Sequence, residues 1–207
     1  MQLVDLSIVI PTYTINQELE EVAVSCIVSM AGDLAIKEII VCEDGGFFSP
    51  QLMELADIYI YNKSNNGFTV NVNRGWKIAS GEFVAIVNSD TTMKSGELAE
   101  LCQPDKVTCP FLTSHPPDMP YSLGVFWVTP RDVTLKRGYL NELLHTYASD
   151  SEYEERIKDI LVKTDKVKIY HQSEATTSAA GINRPIEEAR DQAIWGQIKK
   201  GTRRVLK

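Results

Sequence analysis

Four short apolar runs among the first ninety residues constrain this chain more than any other feature. SIVI (7–10), EIIVCED (38–44), DIYIYN (57–62) and EFVAIVN (82–88) are rich in β-formers and too short for buried helices. Helical patterns lie between them. Gln17–Met30 places Leu19, Val22, Ala23, Cys26 and Ile27 at three- and four-residue spacing; Ser49-Pro50 opens a short helix; Phe68–Ala79 forms a third. This β-α-β-α-β-α-β rhythm predicts an α/β, Rossmann-like, mainly parallel sheet with helices on both faces. Such sheets bind ligands outside the carboxyl ends of their strands.

The second half is less regular. Residues 103–121 hold five prolines and read as loop around a short strand near Val107. SLGVFWV (122–128) and KVKIYH (166–171) read as strands, and 131–146 and 151–162 as helices. TTSAAG (176–181) is a small-residue loop, and PIEEARDQAIWGQIKK (185–200) a helix with proline in its first turn.

A chain of 207 residues with no internal repeat or clear linker fits one domain. A net charge of −7 argues against a general nucleic-acid binder. The last nine residues, KKGTRRVLK, nevertheless hold five cations and no acid, which suits either a solvated tail or contact with a phosphate-bearing partner. Cys26, Cys42, Cys102 and Cys109 form no CxxC pair and read as thiols of a reducing compartment rather than a disulfide frame or zinc site. The N-terminus lacks the basic region of a signal peptide, and no apolar run reaches the roughly 18 residues that span a membrane, so a cytoplasmic location is expected.

The strand ends carry the chemistry. Strand one ends in Pro11-Thr12-Tyr13, strand two in Glu43-Asp44-Gly45-Gly46, and strand four in Asn88-Ser89-Asp90, while Asn65-Asn66-Gly67 follows strand three. Turns favour such residues singly. Together they place Thr12, Asp44 and Asp90 along one sheet edge. That suits a nucleoside diphosphate, with one carboxylate on base or ribose and another holding a divalent cation against the phosphates. Neither GxGxxG after strand one nor GxxxxGK[ST] anywhere is present, so a glycine-rich phosphate cradle is excluded.

These segments, SIVIPTY, EIIVCEDGG and NNGFTVNVNRGWKIASGEFVAIVNSDT, resemble the N-terminal signature of the family 2 glycosyltransferases of GT-A fold. Fainter similarity continues through VTPRDVTLKRGYLNELL, SDSEYEER (149–156) and YHQSEAT (170–176), so the resemblance covers about residues 6–176. It implies one GT-A-like catalytic domain over 1–182, with a nucleotide-sugar half over about 1–92 and an acceptor half over about 93–182. Residues 183–207, a helix and basic tail, lie beyond it.

The resemblance also implies roles. Asp44 holds the base or ribose, with Pro11 and Thr12 lining the same pocket; Tyr13, Asn66, Gly67 and Asn73 belong to the same nucleotide-sugar set. Asn88, Ser89 and Asp90 stand at the D-x-D position, where Asp90 takes Mn²⁺ or Mg²⁺ and Asn88 and Ser89 meet the donor. His171 matches the late histidine of the metal or pyrophosphate site, and Asp150 aligns with the general base of inverting members. The purely structural reading of Ser149-Asp150 is a helix N-cap for 151–162. Departures from the family pattern are Asn88 for aspartate, Glu43 for the first of two aspartates, Gly46 for serine, Thr14 for asparagine and Ser149 for the glutamate before the base.

The resulting expectation is single-sugar transfer with inversion from a nucleoside-diphosphate sugar, UDP-linked, to an acceptor hydroxyl. A phosphate-bearing acceptor (lipid-linked sugar, nucleic acid or teichoic-type polymer) docked by KKGTRRVLK is the expected partner. The alternatives are an inert nucleotide-sugar-binding module and a sugar nucleotidyltransferase, though PTYTINQE lacks the glycine-rich cationic loop the latter needs.

Overall fold

The computed structural model describes residues 4–116, 121, 123–172 and 183–201. Eight strands form one sheet in the order β3-β2-β1-β4-β7-β6-β8-β5. The strands are β1 (Leu6–Thr12), β2 (Ile36–Asp44), β3 (Ile58–Asn62), β4 (Phe83–Val87), β5 (Thr91–Ser95), β6 (Val107–Leu112), β7 (Phe126–Pro130) and β8 (Leu161–His171). The helices are α1 (Gln17–Met30), α2 (Pro50–Leu55), α3 (Phe68–Ile78), α4 (Arg131–Arg137), α5 (Ser149–Ile157) and α6 (Arg184–Lys199).

The expected parallel core is present. β1 pairs in parallel with both β2 and β4, and β2 with β3. Every residue of β1 is buried, because alternate side chains enter different cores. Leu6, Ile8 and Ile10 meet Ala23, Ile27 and Met30 of α1 in one cluster. Val9, with Ile40 and Cys42 of β2, joins Val72 and Trp76 of α3 in the other. That second core is fastened by aromatic edges: Trp76 meets Tyr139, Tyr153 and Trp127 at centroid distances of 5.3, 5.6 and 6.3 Å. Helix starts follow capping rules. Asn16 accepts from the Leu19 N–H ahead of α1, and Ser49 from the Leu52 N–H ahead of α2, where Pro50 fills the first turn.

Beyond β4 the sheet is mixed: β7 runs antiparallel to β4 and β6, β8 parallel to β6, and β5 antiparallel to β8. Several boundaries differ from the sequence reading here. The helix expected over 131–146 stops at Arg137, because Gly138 takes φ +82 and its N–H closes onto the Thr134 carbonyl. The helix expected over 151–162 spans Ser149–Ile157; from Leu161 the chain pairs with Val107 instead, lengthening the final strand. The strand expected from 122 begins at Phe126, and residues 123–125 form a turn. Pro110 sits inside β6 at the register shift between Cys109 and Phe111, where a missing N–H is tolerated. β5 was not expected at all.

All four cysteines are free thiols. Among the described residues, no helix is long and apolar enough to cross a membrane.

Candidate active site

The carboxyl ends of β1 and β2 are tied together by a buried acid. Glu43, fully buried, accepts from Thr12 Oγ1 at 2.8 Å, from the Thr14 N–H at 3.0 Å and from the Gly46 N–H at 2.9 Å; the Thr14 hydroxyl adds a further short bond. Thr14 and Glu43 depart from the family pattern, and the structure pairs them with each other. Thr12 is thereby committed to the clamp, Pro11 lies in β1 opposite Cys42, and Tyr13 stands half-buried just beyond the strand.

Asp44 is 3% exposed and organises the next loop. Its Oδ2 accepts from the N–H groups of Asn66 (2.8 Å) and Gly67 (2.9 Å), and its Oδ1 from the amides of Asn62 and Asn66, both at 3.2 Å. Arg74 Nη1 stands 4.0 Å from Oδ1. Gly67 has φ +92, and a β-carbon on it would come within 2.4 Å of the His145 ring. Only glycine satisfies both demands. Asn73, grouped with the nucleotide by sequence, is instead committed to the opposite side of α3. Its amide donates to the Leu140 carbonyl (2.8 Å) and Glu142 (2.9 Å) and accepts from the Leu140 N–H (3.1 Å).

At the end of β4 the turn Asn88-Ser89-Asp90 leads into β5. Thr91 pairs with His171 across the β5–β8 ladder, so the two expected metal ligands meet: His171 Nε2 lies 3.1 Å from Asp90 Oδ1. Asp90 and His171 are only 10% and 12% exposed at the side chain. Among the described residues Asn88 Oδ1 is buried without a hydrogen-bond partner, although its backbone N–H donates to the Val125 carbonyl at 2.9 Å. His115, absent from the sequence reading, stacks on His171 with ring centroids 6.0 Å apart; burial, then the neighbouring His171, push its pKa below the ordinary 6.5. Among the described residues no three His, Cys, Asp or Glu side chains cluster as a complete metal cage. A hard oxygen and an imidazole nitrogen at one edge fit a cation that takes its remaining ligands from outside the protein.

Asp150 sits in the first turn of α5, half-buried, with Oδ1 accepting the Ser151 N–H at 2.8 Å. Ser149-Asp150 does not cap this helix. Ala148 is the N-cap residue, in the left-handed region at φ +61, a conformation that costs about 1–3 kcal/mol for a non-glycine residue. The other Asp150 oxygen lies against Gly124, where an added β-carbon would stand 2.4 Å from Oδ2. Gly124 adjoins Val125, the partner of Asn88. Asp150 is therefore linked through that two-residue turn to the Asn88-Ser89-Asp90 end of β4.

Residues 7–108, which carry Glu43, Asp44 and Asp90, match the sequence profile of glycosyl transferase family 2. This segment belongs to glycosyl transferase family 2. The architecture around the family 2 segment is the GT-A fold. Similar solved structures include S. aureus TarS 1-349 (17% identity, TM-score 0.67, covering 82% of this chain and 61% of that one). GalNAc-T7 with UDP, GalNAc and Mn²⁺ shows 13% identity and TM-score 0.68 over 82% of this chain and 43% of that one. The mannosyltransferase PcManGT from Pyrobaculum calidifontis, with GDP-Man and Mn²⁺, shows 15% identity and TM-score 0.63 over 80% and 56%. The chain thus spans between about two fifths and three fifths of these proteins' lengths. No curated protein sequence matches it.

Other expected contributors lie outside the described residues: Pro117–Pro120 of the proline-rich loop, the 176–181 loop and the tail from Thr202 onward. Lys199, at the start of the basic run, rests over the Trp195 ring at 3.7 Å.

Proposed function

We propose that this protein transfers a single sugar from a nucleoside-diphosphate sugar, UDP-linked, to an acceptor hydroxyl with inversion at the anomeric carbon. The Asp90–His171 pair at the end of β4 carries the reading, because it joins an oxygen and a nitrogen donor at the strand edge of a family 2 fold. GalNAc-T7 and PcManGT, similar in fold, hold Mn²⁺ with a nucleotide or nucleotide-sugar, and TarS 1-349 has a complex with UDP.

In this mechanism Asp44 and the 65–67 loop position the base or ribose, and Asn88, whose buried Oδ1 has no partner among the described residues, accepts from a donor hydroxyl. Asp90 and His171 would hold the divalent cation, Mn²⁺ or Mg²⁺, which would supply charge neutralisation for the departing diphosphate. Asp150 takes the acceptor proton as the hydroxyl oxygen attacks the anomeric carbon, and the nucleoside diphosphate leaves from the opposite face. The transition state is oxocarbenium-like. A positioned base of this kind contributes about 10²–10⁴-fold. The acceptor is a phosphate-bearing molecule, engaged by the basic C-terminal run.

The test is a thermal-shift panel of nucleoside diphosphates with and without Mn²⁺, followed by measurement of UDP release from UDP-sugars. Metal-dependent stabilisation by UDP together with slow donor hydrolysis supports the reading. Stabilisation without any turnover would identify an inert binding module, and no response to any nucleotide would end the proposal.

A further inference from the structure

The family similarity leaves α6 without a task, yet this helix buries an acid at an informative place. Asp191 is fully buried. Its Oδ2 accepts both the Thr146 and the Tyr147 N–H at 2.9 Å, and its Oδ1 accepts Arg190 Nε and Nη2 at 3.2 and 3.1 Å. Arg190 also pairs with Glu187 at 3.2 Å, and Arg184 lies over the Tyr147 ring at 5.6 Å. A carboxylate is removed from water only where such donors replace its hydration. The site receiving it is a stretch without regular secondary structure, whose N–H groups would otherwise be left for solvent.

That stretch joins the two halves of the candidate site. On one side, the His145 carbonyl accepts the Thr69 N–H of α3 at 3.1 Å, and the His145 ring covers Gly67, whose own N–H is held by Asp44. On the other side, Ala148 turns through the left-handed region directly into Ser149 and Asp150. Among the described residues no side chain caps α5. Its start is therefore fixed by what precedes it, where the two hydrogen bonds to Asp191 hold the backbone N–H groups of residues 146 and 147.

We infer that Asp191 is a positioning residue: by holding the Thr146 and Tyr147 N–H groups it fixes Asp150 relative to the donor loop at Asp44 and Gly67. The catalytic half of this inference rests on Asp150 being the base. A base displaced by about 1 Å loses as much as 10²-fold in rate, so Asp191→Ala is expected to lower kcat about 10- to 100-fold.

Two measurements on the full chain separate this inference from the functional reading. In amide hydrogen exchange, Asp191→Ala is expected to speed exchange at Thr146 and Tyr147 and onward through 149–152, while the β1–β2 amides and the Gly67 amide held by Asp44 stay protected. Unchanged exchange at 146–152 overturns the inference whatever the activity. In UDP release from a UDP-sugar with Mn²⁺, the variant should lose kcat with the donor KM within about twofold. Adding Asp191→Ala to Asp150→Asn should then cause no further loss, because residues acting as one unit are not additive. Full additivity overturns a role exerted through Asp150. If Asp191→Ala does not fold, Asp191→Asn, which keeps one acceptor oxygen and loses the charge facing Arg190, takes its place with the same criteria. A wild-type chain that neither binds nor hydrolyses any nucleotide-sugar sinks the functional reading, and the exchange experiment still decides whether Asp191 orders this stretch.

Discussion

The carboxylate of Asp150 rests on the α-carbon of Gly124, with no room for a β-carbon between them. Gly124 lies outside the left-handed region, so alanine there meets no left-handed strain, and the three atoms nearest its β-carbon all belong to Asp150. Gly124→Ala is expected to cut donor turnover about 10- to 100-fold, the range for a displaced catalytic group, with a melting temperature within a few degrees of wild type. Steady-state kinetics with thermal melting tests this. Wild-type turnover in a folded Gly124→Ala variant would remove Asp150 from the mechanism.

Asp90→Ala should abolish the Mn²⁺-dependent part of UDP stabilisation and of turnover, whereas Asn88→Asp should be tolerated, since it restores the acidic form of the family motif. His171→Ala should weaken metal affinity by at least about 10- to 100-fold, since even the outer partners of metal ligands are worth that much. Titration of Mn²⁺ against a fixed UDP concentration measures all three, and full Mn²⁺ dependence in Asp90→Ala would relocate the metal.

Glu43 tests the clamp separately from catalysis. Hydrogen bonds to a charged group are worth about 1.5–3 kcal/mol each, and this fully buried acid accepts several of them. Glu43→Ala is expected to destabilise the fold by at least about 3 kcal/mol, read from chemical denaturation, because it leaves the Thr14 and Gly46 donors unpaired.

Glu38 makes the fold sensitive to acid. Burial raises its pKa, but bonds from the Ser7 hydroxyl and from the Ser80 N–H and hydroxyl outweigh it, leaving the pKa below the ordinary 4.5. The unfolded chain binds this proton first as pH falls, so the stabilisation is whole above about pH 4.5 and disappears as pH drops through the lowered value. Glu38→Gln should flatten the stability profile in that window, measured by denaturation from pH 6 downward.

Burial pushes the thiols of Cys26 and Cys42 up to about 12, and that of Cys109 higher still. Thiolate is the reactive form. These three should resist a disulfide-exchange reagent at pH 8 in the native state and react together on unfolding, and labelling at the native rate of a free thiol would contradict their placement.

The parallel core was legible because strands buried on both faces leave unbroken apolar runs, as in SIVI and FVAIV. β5 was not: TTMKS buries only Thr91 well and grades to exposed Ser95, so it reads as a turn. The meeting of Asp90 with His171 was visible through motif position alone. Glu43 stood out only as a departure, and its reason, the pairing with Thr14, needs the fold. His145 and Asp191 were invisible because the bonds that tie them to the 67–69 and 146–147 segments fall on backbone groups, and Gly67 offers no side chain to mark the contact in a sequence.

β4 is parallel to β1 on one edge and antiparallel to β7 on the other. The chain therefore reverses its sheet direction at the single strand that delivers Asp90. Loops on the β7 side can therefore vary only where they leave in place the His145 contacts with Gly67 and Thr69 and the bond from Asn88 to Val125. Exchanges of the remaining loops that spare those contacts are expected to alter the face beyond β7 while the β1–β2 edge keeps its shape, a modularity useful to evolution and to an engineer alike.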